Sequence, residues 1–167
     1  MAKAIMAWRE CAVKIGKTGA GDEMSAALTS IGIVKNKASS LEPTTGDALE
    51  AKSSGGHTVA KEYNEGGYTF KTRIIEPTNE LEVLLGIAEA EASNETKVKT
   101  HIVEGNFSLE VEPINVGAKG IRAPKTNVVY SPGWSEEEGN YADVEFEILL
   151  GDAGYWYKRF TKQASVD

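Results

Sequence analysis

The sequence predicts a mainly β domain, an antiparallel barrel or sandwich with a single flanking α-helix. Three observations carry that expectation. Apolar and polar residues alternate in several short runs along the 167 residues, the period of a strand with one buried face. Seventeen glycines and five prolines punctuate those runs rather than pooling in a linker, as turn residues do in a chain of many strands. Only one stretch combines a helical period with a capping signal.

Taken in order, residues 11–15 read as a short strand and 16–26 as a loop without periodicity. Residues 27–34 form a second weak strand, and 35–46 a second loop. Residues 48–52 and 57–63 then pair as a hairpin whose tip is Ser53, Ser54, Gly55 and Gly56, small residues suited to a flexible turn. In 68–75, Tyr68, Phe70, Thr72 and Ile74 face one way and Thr69, Lys71 and Arg73 the other.

Pro77 ends that strand. Asn79 followed by Glu82 reads as an N-cap and capping box, and Leu81, Leu84, Leu85 and Ala88 recur at helical spacing, which predicts a helix over 80–91 covering an open end of the sheet. Strands follow at 97–103, at 107–112 with Phe107, Leu109 and Val111 inward, and at 126–130 and 155–160. The clearest is 141–150, where Val144, Phe146 and Ile148 alternate with Asp143, Glu145 and Glu147.

Length predicts one domain over 1–167, with a loop-rich N-terminal part (1–40). Apolar residues make up 41% and charged ones 26% of the chain, ordinary for a globular protein. The net charge of −7 has the wrong sign for wrapping a nucleic-acid backbone or sitting on an anionic membrane. It is uneven: residues 1–40 carry six basic and three acidic side chains, and 41–167 carry 12 and 22. Such polarity favours head-to-tail contact between identical copies.

Cys11 is the single cysteine and His57 and His101 the only histidines, so neither a disulfide framework nor a Cys/His zinc site is expected. No apolar run approaches the ~20 residues of a membrane span. The five apolar residues at 4–8 stop at Arg9 and Glu10, so no export signal is expected.

No motif completes a reaction centre. Gly16-Lys17-Thr18 ends like a phosphate-binding loop, but Cys11 stands where that pattern needs glycine. Neither histidine, nor Cys11, lies in a local pattern with a nucleophile or metal partner. Asp143, Glu145 and Glu147 repeat about 6.6–7 Å apart on one strand face, which suggests a uniform negative stripe more than two carboxyls converging on a cleft. A solvated face neutralised by Lys71 and Arg73 is the plainer reading. Asn94-Glu95-Thr96 and Asn106-Phe107-Ser108 match the glycosylation sequon, which is uninformative without export. Tyr155, Trp156, Tyr157 and Phe160 form the densest aromatic cluster, suited to core, oligomer interface or sugar stacking.

The element order, with the phrases GDALEAKSSGGHTVAKEYNEGGYTFKTRII and YADVEFEILL, resembles the tail tube proteins of tailed bacteriophages and the similar Hcp-type tube of type VI secretion systems. The resemblance spans residues 28–160. It implies a structural virion protein without enzymatic activity or cofactor, made in the bacterial host cytoplasm. Its copies would form hexameric rings whose inner sheets join around a channel, and the rings would stack into a tube that DNA traverses without specific binding.

Implied partners are further copies, the tape measure protein, the tail terminator and the baseplate or tail-tip proteins, with no membrane. Under that reading Asp143, Glu145 and Glu147, with Glu110 and Glu112, are candidate channel-lining residues, and Ser53, Ser54, Gly55 and Gly56 a candidate inter-ring contact. Two other classes stay open: another β-sandwich tail or baseplate component or a carbohydrate-binding module, and, third, a hydrolase using the acidic row.

Overall fold

Alternation along two neighbouring strands fixes the centre of the fold. In the computed structural model, which describes residue 5 and residues 10–91 and 95–165, β1 is Cys11–Lys17, β2 Thr29–Ser30, β3 Ile33–Val34, β4 Ser40–Pro43, β5 Ala48–Lys52, β6 Thr58–Tyr63 and β7 Tyr68–Ile75. The helix α1 is Asn79–Leu84, followed by β8 Ala88–Ala90, β9 Thr96–Val98, β10 Asn106–Pro113, β11 Lys119–Ser135, β12 Gly139–Ile148 and β13 Lys158–Thr161. Among the described residues the chain is mainly β with one α-helix, as the alternation predicts. Most of the run at 4–8, and Asn94 of the first sequon, lie outside the described residues.

A curled antiparallel sheet runs β2-β1-β10-β11-β12-β7-β3, with β4 also on β7 and β13 also on β11. Val144, Phe146 and Ile148 of β12 lie opposite Thr72, Phe70 and Tyr68 of β7, and on the other side Val128 and Tyr130 of β11 continue the row. Together with Val13, Ile15, Leu109, Ile31 and the helix-side residues Leu81, Leu85 and Ile87 they form one core. Each such side chain contributes about 1.5–3 kcal/mol by leaving water.

The helix is shorter than its period suggests. Thr78, not Asn79, is the N-cap, its hydroxyl accepting the Leu81 N–H at 3.2 Å. Gly86 takes φ +76° just beyond the last turn, and this left-handed position ends the helix. The following apolar residues pack into the core from outside the helix instead, Ile87 from the bend after it and Ala88 from β8. Glu82 is buried and accepts the Tyr130 hydroxyl at 2.9 Å, tying the helix to the sheet.

Other expectations change in detail. The strand expected at 27–34 breaks at Gly32, φ +111°, into β2 and β3. The loop expected at 35–46 contains β4, and that at 16–26 contains a 3₁₀ turn at Ala20–Asp22. The strand expected at 97–103 is replaced by β9, and that at 155–160 by β13. The five-residue strand expected at 126–130 is the middle of the 17-residue β11. Two prolines hid its length. Pro124 lies at a register shift against β10, where a ladder bond is already lost. Pro132 lies beyond Asn127, the last residue paired with β10, so β11 has β12 alone as neighbour there and tolerates the missing N–H. Ser108 and Glu110, expected on an open face of β10, are both buried.

Candidate assembly surface

The polar side of the sheet is built by the same alternation that builds the core. Register places Arg73 opposite Asp143, Lys71 opposite Glu145 and Thr69 opposite Glu147. Arg73 grips Asp143 with both ends of its fork, Nε to Oδ1 at 2.6 Å and Nη2 to Oδ2 at 2.9 Å, the bidentate form that adds direction to charge. Its Nη1 reaches Glu138 Oε2 at 3.0 Å, and Lys35 closes on the other oxygen of Glu138. The bond from Arg73 holds the Asp143 carboxyl below its usual range, and that from Lys35 does the same for Glu138. Arg73 also lies over the Tyr141 ring at 4.6 Å.

The pattern continues across the sheet. Lys71 pairs with Glu145 at 3.5 Å, and Asn127 Nδ2 donates to Glu147 at 3.3 Å. Arg122 pairs with Glu110 at 3.3 Å; Glu112 lies between Lys162 at 3.1 Å and Lys14 at 3.6 Å, and Lys162 lowers its pKa most. The uniform negative stripe suggested for Asp143, Glu145 and Glu147 is therefore corrected, and the plainer reading, neutralisation by Lys71 and Arg73, holds for Glu145 and Asp143. Five carboxylates of this face alternate with Arg73, Lys71, Arg122, Lys162 and Lys14, so the charges balance. Cross-strand pairs of opposite sign stabilise a sheet, and the chain supplies a cation opposite nearly every acid.

The hairpin expected at 48–63 forms, and it stands off the body. β4 and β7 pair within the main sheet from Ser40↔Lys71 to Pro43↔Tyr68, and the same two strands resume as β5 and β6 from Ala48↔Tyr63 onward. Between them is a tight neck, where the Thr44 N–H donates to Gly67 O and the Asn64 N–H to Asp47 O. A Cβ on Gly66 would lie 1.5 Å from the Thr44 carbonyl oxygen, and one on Gly46 2.1 Å from that of Asn64. Only glycine fits there.

Past the neck every residue of β5 and β6 is exposed. One face carries Leu49, Ala51 and Ala60; the other carries Glu50, which pairs with Lys61 at 3.1 Å. Ser53, Ser54, Gly55 and Gly56 lie at the tip, closed by the His57 carbonyl accepting the Ser53 N–H. Leu49, Val59 and Tyr63 are 57%, 67% and 59% exposed. The nine residues 44–52 would carry the tip roughly 25–30 Å from the sheet at ordinary strand rise.

The opposite pole lies where β7 ends. There Ile75 pairs with Tyr141 and with Ile33, and the β11–β12 hairpin turns through Glu136, Glu137 and Glu138. Trp134, paired with Asn140 beside this turn, is 73% exposed. Glu136 and Glu137 are exposed and form no ion pair among the described residues.

The aromatic cluster forms a groove of about 560 Å³ between Tyr68, Gly154, Tyr155, Trp156, Tyr157 and Arg159, at the foot of the ribbon. Its rings meet edge to face, Tyr68 with Trp156 at 6.0 Å and with Tyr157 at 5.1 Å. Phe160 lies apart from the groove and carries Arg122 over its ring at 4.0 Å.

His57 and His101 are exposed and far from any nucleophile pattern, and Cys11 is half-buried against Ser39. Gly16-Lys17-Thr18 ends β1, where the Thr18 hydroxyl donates to Pro124 O at 2.9 Å. Among the described residues no group of three or more His, Cys, Asp or Glu is placed to hold a metal ion, and no helix is long and apolar enough to cross a membrane.

Sequence reasoning missed the neck and the Trp134 pole. A pair of glycines flanking a hairpin, Gly46 with Gly66, was the available signal for the first. For the second it was Trp134 followed at once by Glu136 and Glu137, an aromatic set into polar surroundings. No protein-family model and no curated protein matches the chain.

Proposed function

We propose that this protein is a self-assembling, non-enzymatic structural subunit whose copies stack in rings to form a tube, of the kind that the resemblance to phage tail tube proteins implies. The observation that carries the reading is the ribbon. A two-stranded hairpin alone is marginally stable in water, yet residues 48–63 form one in which no residue is buried. Leu49, Val59 and Tyr63 gain cover when a further copy supplies it. The arm and the surface receiving it differ, so the contact is head-to-tail and propagates, as a tube requires.

Two further features support the reading. The main sheet ends in short edges, β2 on one side and β3 with β4 on the other, where a neighbouring copy could extend the ladder into a ring. The balanced polar face suits a channel wall, because its cations are already engaged by Asp143, Glu145, Glu110 and Glu112 and so offer little to a passing phosphate backbone. In this assembly, in a virion tail, the tape measure, terminator and baseplate proteins would be the heterologous partners.

The test is electron microscopy and sizing of the purified full chain over a concentration series. Stacked rings or tubes support the reading; a monodisperse monomer at every concentration overturns it. A channel wall also predicts a charge effect. Glu145→Lys with Glu147→Lys shifts the face by four positive charges per subunit while sparing the Arg73–Asp143 pair, and tubes of this variant should retain DNA at low salt and release it as salt rises. Unchanged DNA retention would remove these residues from the channel.

The groove between Tyr68, Tyr155, Trp156 and Tyr157 favours a second reading, a β-sandwich that binds a carbohydrate or a protein partner. Glycan binding by a stable monomer, lost on Trp156→Ala, would favour it over assembly.

A further inference from the structure

Resting on the tube reading, we propose that the tip of the ribbon docks on the opposite pole of a second copy, Lys52 and His57 meeting Glu136 and Glu137 while the ribbon's apolar side chains close over Trp134. The two surfaces lie at opposite ends of β7. The ribbon enters the sheet at Tyr68, and Ile75, at the far end, is the partner of Tyr141 beside the β11–β12 turn. Translating one copy along this strand direction brings the tip of one to the turn of the next.

Charge and hydrophobic character agree. Residues 52–60 carry Lys52 and His57 and no carboxylate, although the chain as a whole is at −7; Lys52 has only a long 3.8 Å contact to Glu50, which Lys61 already holds at 3.1 Å. The turn facing them carries two exposed carboxylates without an ion-pair partner among the described residues, since Glu138 alone is taken, by Lys35 and Arg73. Like charges would repel other surfaces of this acidic protein from the turn, so the cationic tip is selected both by attraction and by exclusion.

Trp134 is the most exposed of the chain's large apolar side chains among the described residues, and it stacks on no other ring there. Tyr141, on the opposite side of the sheet, is covered by Arg73. Trp is the residue most enriched at the energetic centre of interfaces. Leu49, on the ribbon face it shares with Ala51 and Ala60, supplies the aliphatic surface that such a ring lacks.

The experiment uses the full chain with Cys11→Ser, carrying Ser54→Cys and Glu137→Cys. Under mild oxidation of assembled protein, a disulfide-linked ladder of two, three and more copies is expected, and neither single-cysteine variant should extend past a dimer. In parallel, Glu136→Lys with Glu137→Lys should raise the concentration needed for assembly at least about tenfold, the effect of losing an interface hot spot, and Lys52→Glu with His57→Glu added to that background should restore assembly.

Assembly that proceeds without the ladder, or a charge reversal without effect on it, overturns the docking assignment and leaves the tube reading standing. A parent chain that stays monomeric overturns both.

Discussion

The paired strands β4–β7 and β5–β6 are one continuous ribbon in two environments, and the contrast between its halves is instructive. In the lower half, Phe70, Thr72 and Ile74 are buried under the helix side of the core while Lys71 and Arg73 meet carboxylates across the strand. In the upper half the same backbone pairing continues, but neither face has a second layer. Ladder hydrogen bonds are therefore common to both, and the layer is what differs. Since hydrogen bonds contribute modestly in net terms and apolar burial dominates, the lower half should carry the fold and the upper half should depend on what it touches.

Core truncation is the strongest way to break this contrast. Phe146→Ala, which removes the cross-strand neighbour of Phe70, should destabilise the chain by about 3–5 kcal/mol, whereas Leu49→Ala or Val59→Ala should change monomer stability by no more than about 0.5 kcal/mol. Denaturant midpoints of the three variants check both; a comparable loss from the ribbon variants would mean the upper half packs on the body. Tyr130→Phe, which removes the hydroxyl bonded to buried Glu82, should cost about 1–3 kcal/mol, measured the same way.

Acid acts on the ion pairs of the body. Asp143, Glu138 and Glu112 are held below their usual values by Arg73, Lys35 and Lys162, and Asp22 by the Asp152 N–H and then Lys125. For each, the folded chain binds protons less readily than the unfolded one. Their stabilisation is complete above the unfolded carboxylate values near about 4 and is lost as pH falls through the lower folded values. Tm should be flat from pH 7 to about 5 and drop below about 4; a Tm unchanged down to pH 3 would remove these pairs from the account. The smallest effect belongs to the tip. Deleting Ser53 to Gly56 should leave Tm within a few degrees while shortening or preventing tubes, and normal tubes would deny the tip a role between copies.

Much of the body was legible from alternation. Tyr68–Ile75 and the two faces of β12 follow from period two, because burial on one side of a pleated strand imposes that period directly. The hairpin and its tip were legible from the Ser-Ser-Gly-Gly turn. The length of β11 was not, since Pro124 and Pro132 read as stops until one sees a bulge at the first and an open flank at the second. The helix was overextended because Ala88 keeps the helical spacing of Leu81, Leu84 and Leu85 while lying in a short core strand.

Of the candidate site, the acids of β12 and their neutralising partners Lys71 and Arg73 were legible from the alternation of two strands, but the partners of the acids of β10 were not. The partners of Glu110 and Glu112 come from β1 and from loops and strands far along the chain, and register across strands distant in sequence is not written in any one of them. Nor does local pattern reveal that Trp134 lacks cover.

Hydrogen exchange of the backbone amides of 48–63, followed in the monomer and in assembled material and compared with those of β12, reads out whether the ribbon depends on a second copy. In the monomer these amides should exchange through local opening, far faster than those of Val144 and Phe146, and assembly should slow them by at least about tenfold while β12 is unchanged. Ribbon amides as protected as β12 in the monomer, or equally fast in monomer and assembly, would contradict that dependence.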